Sequence, residues 1–140
     1  MNTFALKKLA KNYMQIWNAQ SEGLLDIYAD PEIRAEYTHF AKVYHGIEAY
    51  KTMLQTTYDF FPDLKITLGE VIPSTKENSA TLFWSYSGTH QNGNLFGIEA
   101  SGKPIAVNGM TVLTIKNRKV VREKGIVDNL SLLMQLNAEK

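Results

Sequence analysis

The 140-residue chain contains no cysteine. That excludes a disulfide framework, a thiolate nucleophile and any cysteine-based metal site, and it leaves the redox compartment open. No run approaches the roughly 20 apolar residues that a membrane span requires. The opening MNTFALKKLAKNY sets Lys7, Lys8 and Lys11 where a signal peptide would need an unbroken apolar stretch, so a cytoplasmic protein is the expectation. An excess of one charge is lacking too. Fifteen Lys and Arg against fourteen Asp and Glu leave a net charge of +1, which supplies no field to favour nucleic acid or an anionic membrane. His39 and His45 have no neighbours at a ligand spacing, so no metal is expected. The glycines near Gly93 and Gly97 make no phosphate loop.

What remains is an ordinary globular composition, 44% hydrophobic and 21% charged. The length suits one domain over residues 1–140 with a sizeable core. Residues 3–19 read as a helix: Leu6, Leu9, Tyr13, Ile16 and Trp17 recur at three and four, and Asn2 or Thr3 can cap it. A short apolar turn over 24–28 stops before Asp30-Pro31, and residues 33–44 read as one or two short strands. A second helix starts after Gly46, carries Ile47, Tyr50, Met53, Leu54 and Tyr58 on one side, and ends by Phe60-Phe61-Pro62. The period then changes to two. Ile66, Leu68 and Ile72 mark the apolar face of a half-buried strand, with a turn over 73–78. In the long strand 79–90 the even positions Ala80, Leu82, Trp84, Tyr86, Gly88 and His90 share a face, unless a bulge at Gly88 shifts the register. Residues 91–104 read as a loop, and 105–115 and 119–127 as a hairpin about Lys116-Asn117-Arg118. A short amphipathic helix closes the chain. Helices first, then a meander, then a helix is an α+β order, with helices packed on one face of a curved sheet.

Several of these stretches resemble one family. Phe61-Pro62-Asp63-Leu64 after a helix is similar to the FPDL motif of the SnoaL-like polyketide cyclase and ester cyclase family. So are Gly88-Thr89-His90, Ser101-Gly102-Lys103, and a last strand carrying Glu123 and Asp128 before Leu132-Leu133-Met134-Gln135-Leu136. The resemblance runs in matching order from about Pro31 to Asn137. It implies a nuclear-transport-factor-2-like cone, an α+β barrel of helices closing a strongly curved, mostly antiparallel sheet around an apolar cavity, commonly as a homodimer. It also implies cofactor-free acid/base chemistry on a small apolar or polyketide-like molecule: proton abstraction, then intramolecular aldol cyclisation or isomerisation. Asp128 matches the family's acid/base aspartate, and His90 is the histidine of the GTH motif. The sequence departs from the pattern at Gly125, where the family usually has Trp, and at Phe83, where Arg is frequent. Loss of the indole implies a larger or reshaped cavity.

Each candidate residue also has a plainer reading. Asp128 stands immediately before NLSLLMQL, where it would make a good N-cap; flanked by Ile126, Val127 and Leu130, it could equally be a carboxylate whose pKa apolar walls raise toward working pH. His90 is a pocket donor or a strand-end histidine facing water. Trp84 and Tyr86 could donate to an oxyanion. Glu123 reaches the cavity or pairs on the surface beside Arg122. His39 is a substrate contact or a half-exposed histidine. Trp17 and Met53 are core residues and, secondarily, cavity wall. The expected function is therefore a small-molecule enzyme using Asp128 with His90. The alternative is a non-catalytic module that binds an apolar ligand, favoured if Asp128 is exposed and bonded only to the helix start.

Overall fold

The computed structural model describes residues 1–38 and 42–138. Helix α1 (Thr3–Met14) is capped by Asn2, whose side chain accepts from the Ala5 amide, and it tightens into a 3₁₀ turn at Gln15–Trp17. The expected stripe Leu6, Leu9, Tyr13, Ile16 and Trp17 is buried throughout. Helix α2 (Leu24–Tyr28) is a single turn. Strands β1 (Ala29–Tyr37) and β2 (Tyr44–His45) precede helix α3 (Ile47–Phe60), which buries Tyr50, Met53, Leu54 and Tyr58. His39 lies outside the described residues.

Strands β3 (Lys65–Ser74), β4 (Ser79–His90), β7 (Lys103–Lys116) and β8 (Lys119–Val127) complete a six-stranded sheet of order β2-β1-β8-β7-β4-β3. Every neighbouring pair is antiparallel except β1 with β8, which is parallel. This is the expected α+β architecture of helices on a mostly antiparallel curved sheet. The β7–β8 turn has Asn117 and Arg118 both at positive φ, the backbone of a two-residue hairpin whose twist matches the strands.

Two expectations need correction. Residues 91–104 are not simply a loop: β5 (Asn94–Leu95) and β6 (Ile98–Glu99) form a small hairpin of their own. Alternation places Ile72 beside Ile66 and Leu68, yet a shift of register between Leu68 and Val71 turns Val71 inward and leaves Ile72 48% exposed. In β4 the pairing with β7 runs unbroken through Gly88–Ile105 to His90–Lys103, so no bulge intervenes and His90 stays inside. On the outer face, Phe83, Met110 and Ile126 are cross-strand neighbours and leave an apolar row, with Phe83 and Ile126 exposed.

The recognisable motifs are the joints of this fold. Asp63 accepts from the Thr89 amide at 2.7 Å and from its hydroxyl at 2.8 Å, and the Phe61 ring packs on His90 with centroids 5.8 Å apart. A side chain at Gly88 would press on Phe61, 3.1 Å away. Helix α4 (Asn129–Asn137) is pinned to β7 by the Gln135 amide, which bonds both the N–H and the carbonyl of Ala106.

Candidate functional site

The alternation of β8 puts Arg122 outside, where it pairs with Glu36 at 2.8 Å, and Glu123 inside, fully buried. Four side chains from three other elements converge on the Glu123 carboxylate. Oε1 accepts from the hydroxyls of Tyr13 at 2.6 Å and Tyr50 at 2.7 Å. Oε2 accepts from the Trp17 indole at 3.2 Å and from the Tyr37 hydroxyl. Tyr13 and Trp17 come from α1 and its 3₁₀ extension, Tyr37 from β1 and Tyr50 from α3. No described Lys, Arg or His forms an ion pair with this carboxylate. Burial pushes the Glu123 carboxyl above its ordinary pKa, against the four hydrogen bonds that favour the anion. Burial and the adjacent carboxylate raise the phenols of Tyr13, Tyr37 and Tyr50 as well.

The hydrogen bonds continue outward in one direction. The Trp84 indole donates to Thr111 Oγ1 at 2.8 Å, and Thr111 Oγ1 lies 2.8 Å from the Tyr37 oxygen. With Tyr37 donating to Glu123, Thr111 must donate to Tyr37, because a hydroxyl has one proton to give. Trp84, Thr111, Tyr37 and Glu123 thus form a polarised chain that crosses four strands.

A narrow cavity of about 20 Å³ adjoins this chain, room for one or two water-sized groups. Its aromatic walls are Trp17, Tyr37, Trp84 and Tyr86, and Leu64, Ile66 and Val127 complete the apolar lining. Trp17 meets Tyr37 edge-on at 5.4 Å, and Trp84 stacks on Tyr86 at 5.5 Å. Tyr86 and Thr57 also line a wider cleft of about 350 Å³, bordered by Met53, Phe60, Phe61, Leu95, Phe96 and Leu132. These two residues stand between cleft and cavity. The Tyr86 hydroxyl makes no hydrogen bond among the described residues, and its pKa is raised by burial alone.

Two glycines make room for the aromatic walls. A Cβ on Gly109, which pairs with Trp84, would fall 2.4 Å from the indole; one on Gly125, which pairs with Tyr37, would fall 2.1 Å from the Tyr37 ring. Of the two effects expected from Gly125, a larger or a reshaped cavity, the second fits: the Tyr37 ring occupies the space beside Gly125.

Of the candidates named from sequence, Trp17, Trp84 and Tyr86 wall the inner cavity, Met53 lines the cleft, and Glu123 lies behind Trp17 and Tyr37. Asp128 and His90 are elsewhere. Asp128 is exposed, and its side chain accepts from the Ser131 amide at 3.1 Å as the N-cap of α4. It follows inward-facing Val127, so the alternation of β8 carries it away from the cavity. His90 is 1% exposed, bonded through Nε2 to the Gly93 carbonyl at 3.1 Å and packed on Phe60 and Phe61. The Asp128 amide donates to Asn108, while His90 pairs with Lys103. Five residues along one strand is about 16 Å, so the structure does not bring the two together. Replacing Asp128 by alanine should cost about 0.5–2 kcal/mol of stability and leave the indole fluorescence of the cavity unchanged, as denaturation followed at the two tryptophans would report.

Nothing in the sequence marks Tyr37, Tyr50 and Thr111 as site residues. Tyrosines at inward positions read as core, and no local pattern says that three of them point at one carboxylate. Among the described residues no cluster of three or more His, Cys, Asp or Glu could hold a metal, and no helix is long and apolar enough to cross a membrane.

A model of the SnoaL-like polyketide cyclase family matches residues 7–136. No curated protein matches significantly. Among solved structures, TsrD from Streptomyces laurentii is 22% identical, with 99% of each chain covered and a TM-score of 0.84. A proposed SnoaL-like polyketide cyclase from Jannaschia sp. CCS1 is 16% identical, with 98% of this chain and 94% of that one covered and a TM-score of 0.83. A protein of ketosteroid isomerase-like fold from Catenulispora acidiphila, solved in complex with trimethylamine, is 14% identical, with 94% of each chain covered and a TM-score of 0.76. At these identities the likeness to solved structures is one of fold.

Proposed function

Because the chain belongs to the SnoaL-like polyketide cyclase family, we propose that it is a small-molecule enzyme of the cyclase or isomerase type, with Glu123 rather than Asp128 as its acid/base group. The observation that carries this reading is a fully buried carboxylate with a raised pKa, separated from an aromatic cavity by the Tyr37 side chain. A substrate held in the cleft presents a C–H next to a carbonyl at the cavity mouth. That bond breaks, and its electron pair moves onto the carbonyl oxygen. The proton goes to the Tyr37 oxygen while the proton of Tyr37 passes to Glu123. The Tyr86 hydroxyl, free to donate, holds the enolate oxygen. The enolate then adds to a second carbonyl of the same molecule or is reprotonated at another carbon.

Deuterium exchange tests the proton step without knowledge of the natural substrate. Cyclic monoketones such as cyclohexanone exchange slowly in neutral D₂O, and the wild-type protein should accelerate the exchange as followed by NMR. Tyr37→Phe keeps the ring and removes the relay, so it should lower the rate roughly 10²- to 10⁴-fold. Folded Tyr37→Phe and Glu123→Gln proteins that retain full exchange would overturn the assignment.

The second reading is a non-catalytic module binding an apolar ligand. It draws on the exposed, helix-capping Asp128 and on a Glu123 carboxylate already holding four donors. Binding of cyclic ketones without any exchange would favour it.

A further inference from the structure

We propose that the inner cavity selects a small positively charged group, a primary ammonium or singly methylated ammonium head carried by the substrate, while the rest of that molecule lies in the cleft. The proposal rests on the reading of this cavity as the ligand site and adds the chemical class of what enters it. Aromatic rings attract cations through the negative face of the π-system, and the attraction grows when both partners leave water. Here four rings wall a narrow space too small for an apolar skeleton, with room only for a group of one or two heavy atoms such as an ammonium or methylammonium.

The second observation is the charge behind the wall. Trp17 and Tyr37 each give their polar hydrogen to Glu123, which makes their rings more electron-rich than free indole or phenol. The carboxylate has no described cationic partner, and its four donors are all neutral. Its field therefore reaches the cavity through buried aromatic side chains, where it is screened less than it would be in water. No cationic side chain lines the inner cavity. Lys42 lines the outer cleft, with its ammonium 5.3 Å from the Tyr44 ring centre. A substrate with a cationic head inside and a neutral or anionic tail toward Lys42 matches this polarity.

Selection by charge is separable from catalysis. The chain has two tryptophans, Trp17 and Trp84, and both wall the cavity, so intrinsic indole fluorescence reports on this site. Ethylammonium is the smallest of three ligands that differ in charge, the others being 1-propanol and propionate, so buried apolar area alone would not favour the cation. Titrated into the wild-type protein at neutral pH, ethylammonium should bind about tenfold more tightly than propanol, and propionate should not bind. Folded Glu123→Gln should narrow the gap between ethylammonium and propanol. If that variant does not fold, the wild-type series at falling pH replaces it: the preference for the cation should fade as Glu123 is protonated. Equal or tighter binding of propanol by the wild-type protein would overturn the proposal. That outcome differs from failure of the exchange assay, which uses a neutral ketone and reads proton transfer alone.

Discussion

Replacing Glu123 by leucine is expected to lower stability by about 3 kcal/mol or more, with Glu123→Gln falling between leucine and wild type. Leucine removes the carboxylate oxygens that accept from Tyr13, Tyr50 and Trp17 and half of the Tyr37 network. Each buried donor left without an acceptor costs about 1–3 kcal/mol, and re-pairing of tyrosines with one another recovers only part of it. Glutamine keeps one acceptor oxygen but turns an NH₂ group toward two donors. The same residue carries a pH signature. Its carboxyl titrates near 4.5 when the chain is unfolded and higher in the folded protein, chiefly because of burial. Between those two values the folded state binds more protons than the unfolded state, so this group's contribution to stability falls as pH rises and is constant beyond. Glu36, whose exposed carboxyl is held below its ordinary range by Arg122, acts in the opposite sense but is shared by wild type and variant. The stability difference, wild type minus Glu123→Gln, should therefore shrink as pH rises from about 4.5. Urea denaturation at several pH values measures it. A difference that stays flat or grows would show that burial does not hold the Glu123 proton.

The second large effect is expected at Gly125. An alanine Cβ there would lie 2.1, 2.5 and 2.9 Å from three carbons of the Tyr37 ring, distances that no relaxed contact permits. The ring must move, and it is tied at its far end to Glu123 and Thr111. Overpacking of a tight core costs about 1–3 kcal/mol, and the displaced hydroxyl adds to it. Gly125→Ala should therefore be among the most damaging single-methyl additions in the sheet, with loss of cavity binding. The cause is testable through coupling. In a Tyr37→Ala background the added methyl has space, so Gly125→Ala should cost less than about 1 kcal/mol more, a clear departure from additivity. Equal penalties in both backgrounds would place the strain elsewhere, at the β8 backbone and not at the tyrosine.

Several features of the molecule were legible in the chain because they are local. The stripe from Leu6 to Trp17 follows from helical period, and the inward face of β4 from Ala80 to His90 follows from strand alternation. Asp128 before an apolar run is a capping residue by chemistry, since its oxygen meets a free amide three residues on. The motifs that identify the family were legible too, and they prove to be joints: Asp63 to Thr89, Phe61 to His90, Gln135 to Ala106. A joint reports on fold with high fidelity and on chemistry hardly at all. That is why these motifs identify the fold, while the residues matched to its catalytic machinery lie at a helix cap and in a packed corner.

Periodicity and capping in the sequence by themselves determined the order of the main helices and long strands, the buried faces of α1, α3 and β4 and the helix start at Asp128, because each depends on neighbours within about one turn or one strand. Only the tertiary structure decided which carboxylate is buried and what surrounds it. Glu123 and Asp128 are five positions apart, and both resemble an acid on the last strand. Their difference comes from Tyr13, Trp17, Tyr37 and Tyr50, which are distant in sequence and meet Glu123 only once the helices close over the sheet. Desolvation, and with it the shift that makes a carboxylate chemically unusual, depends on everything packed around a group.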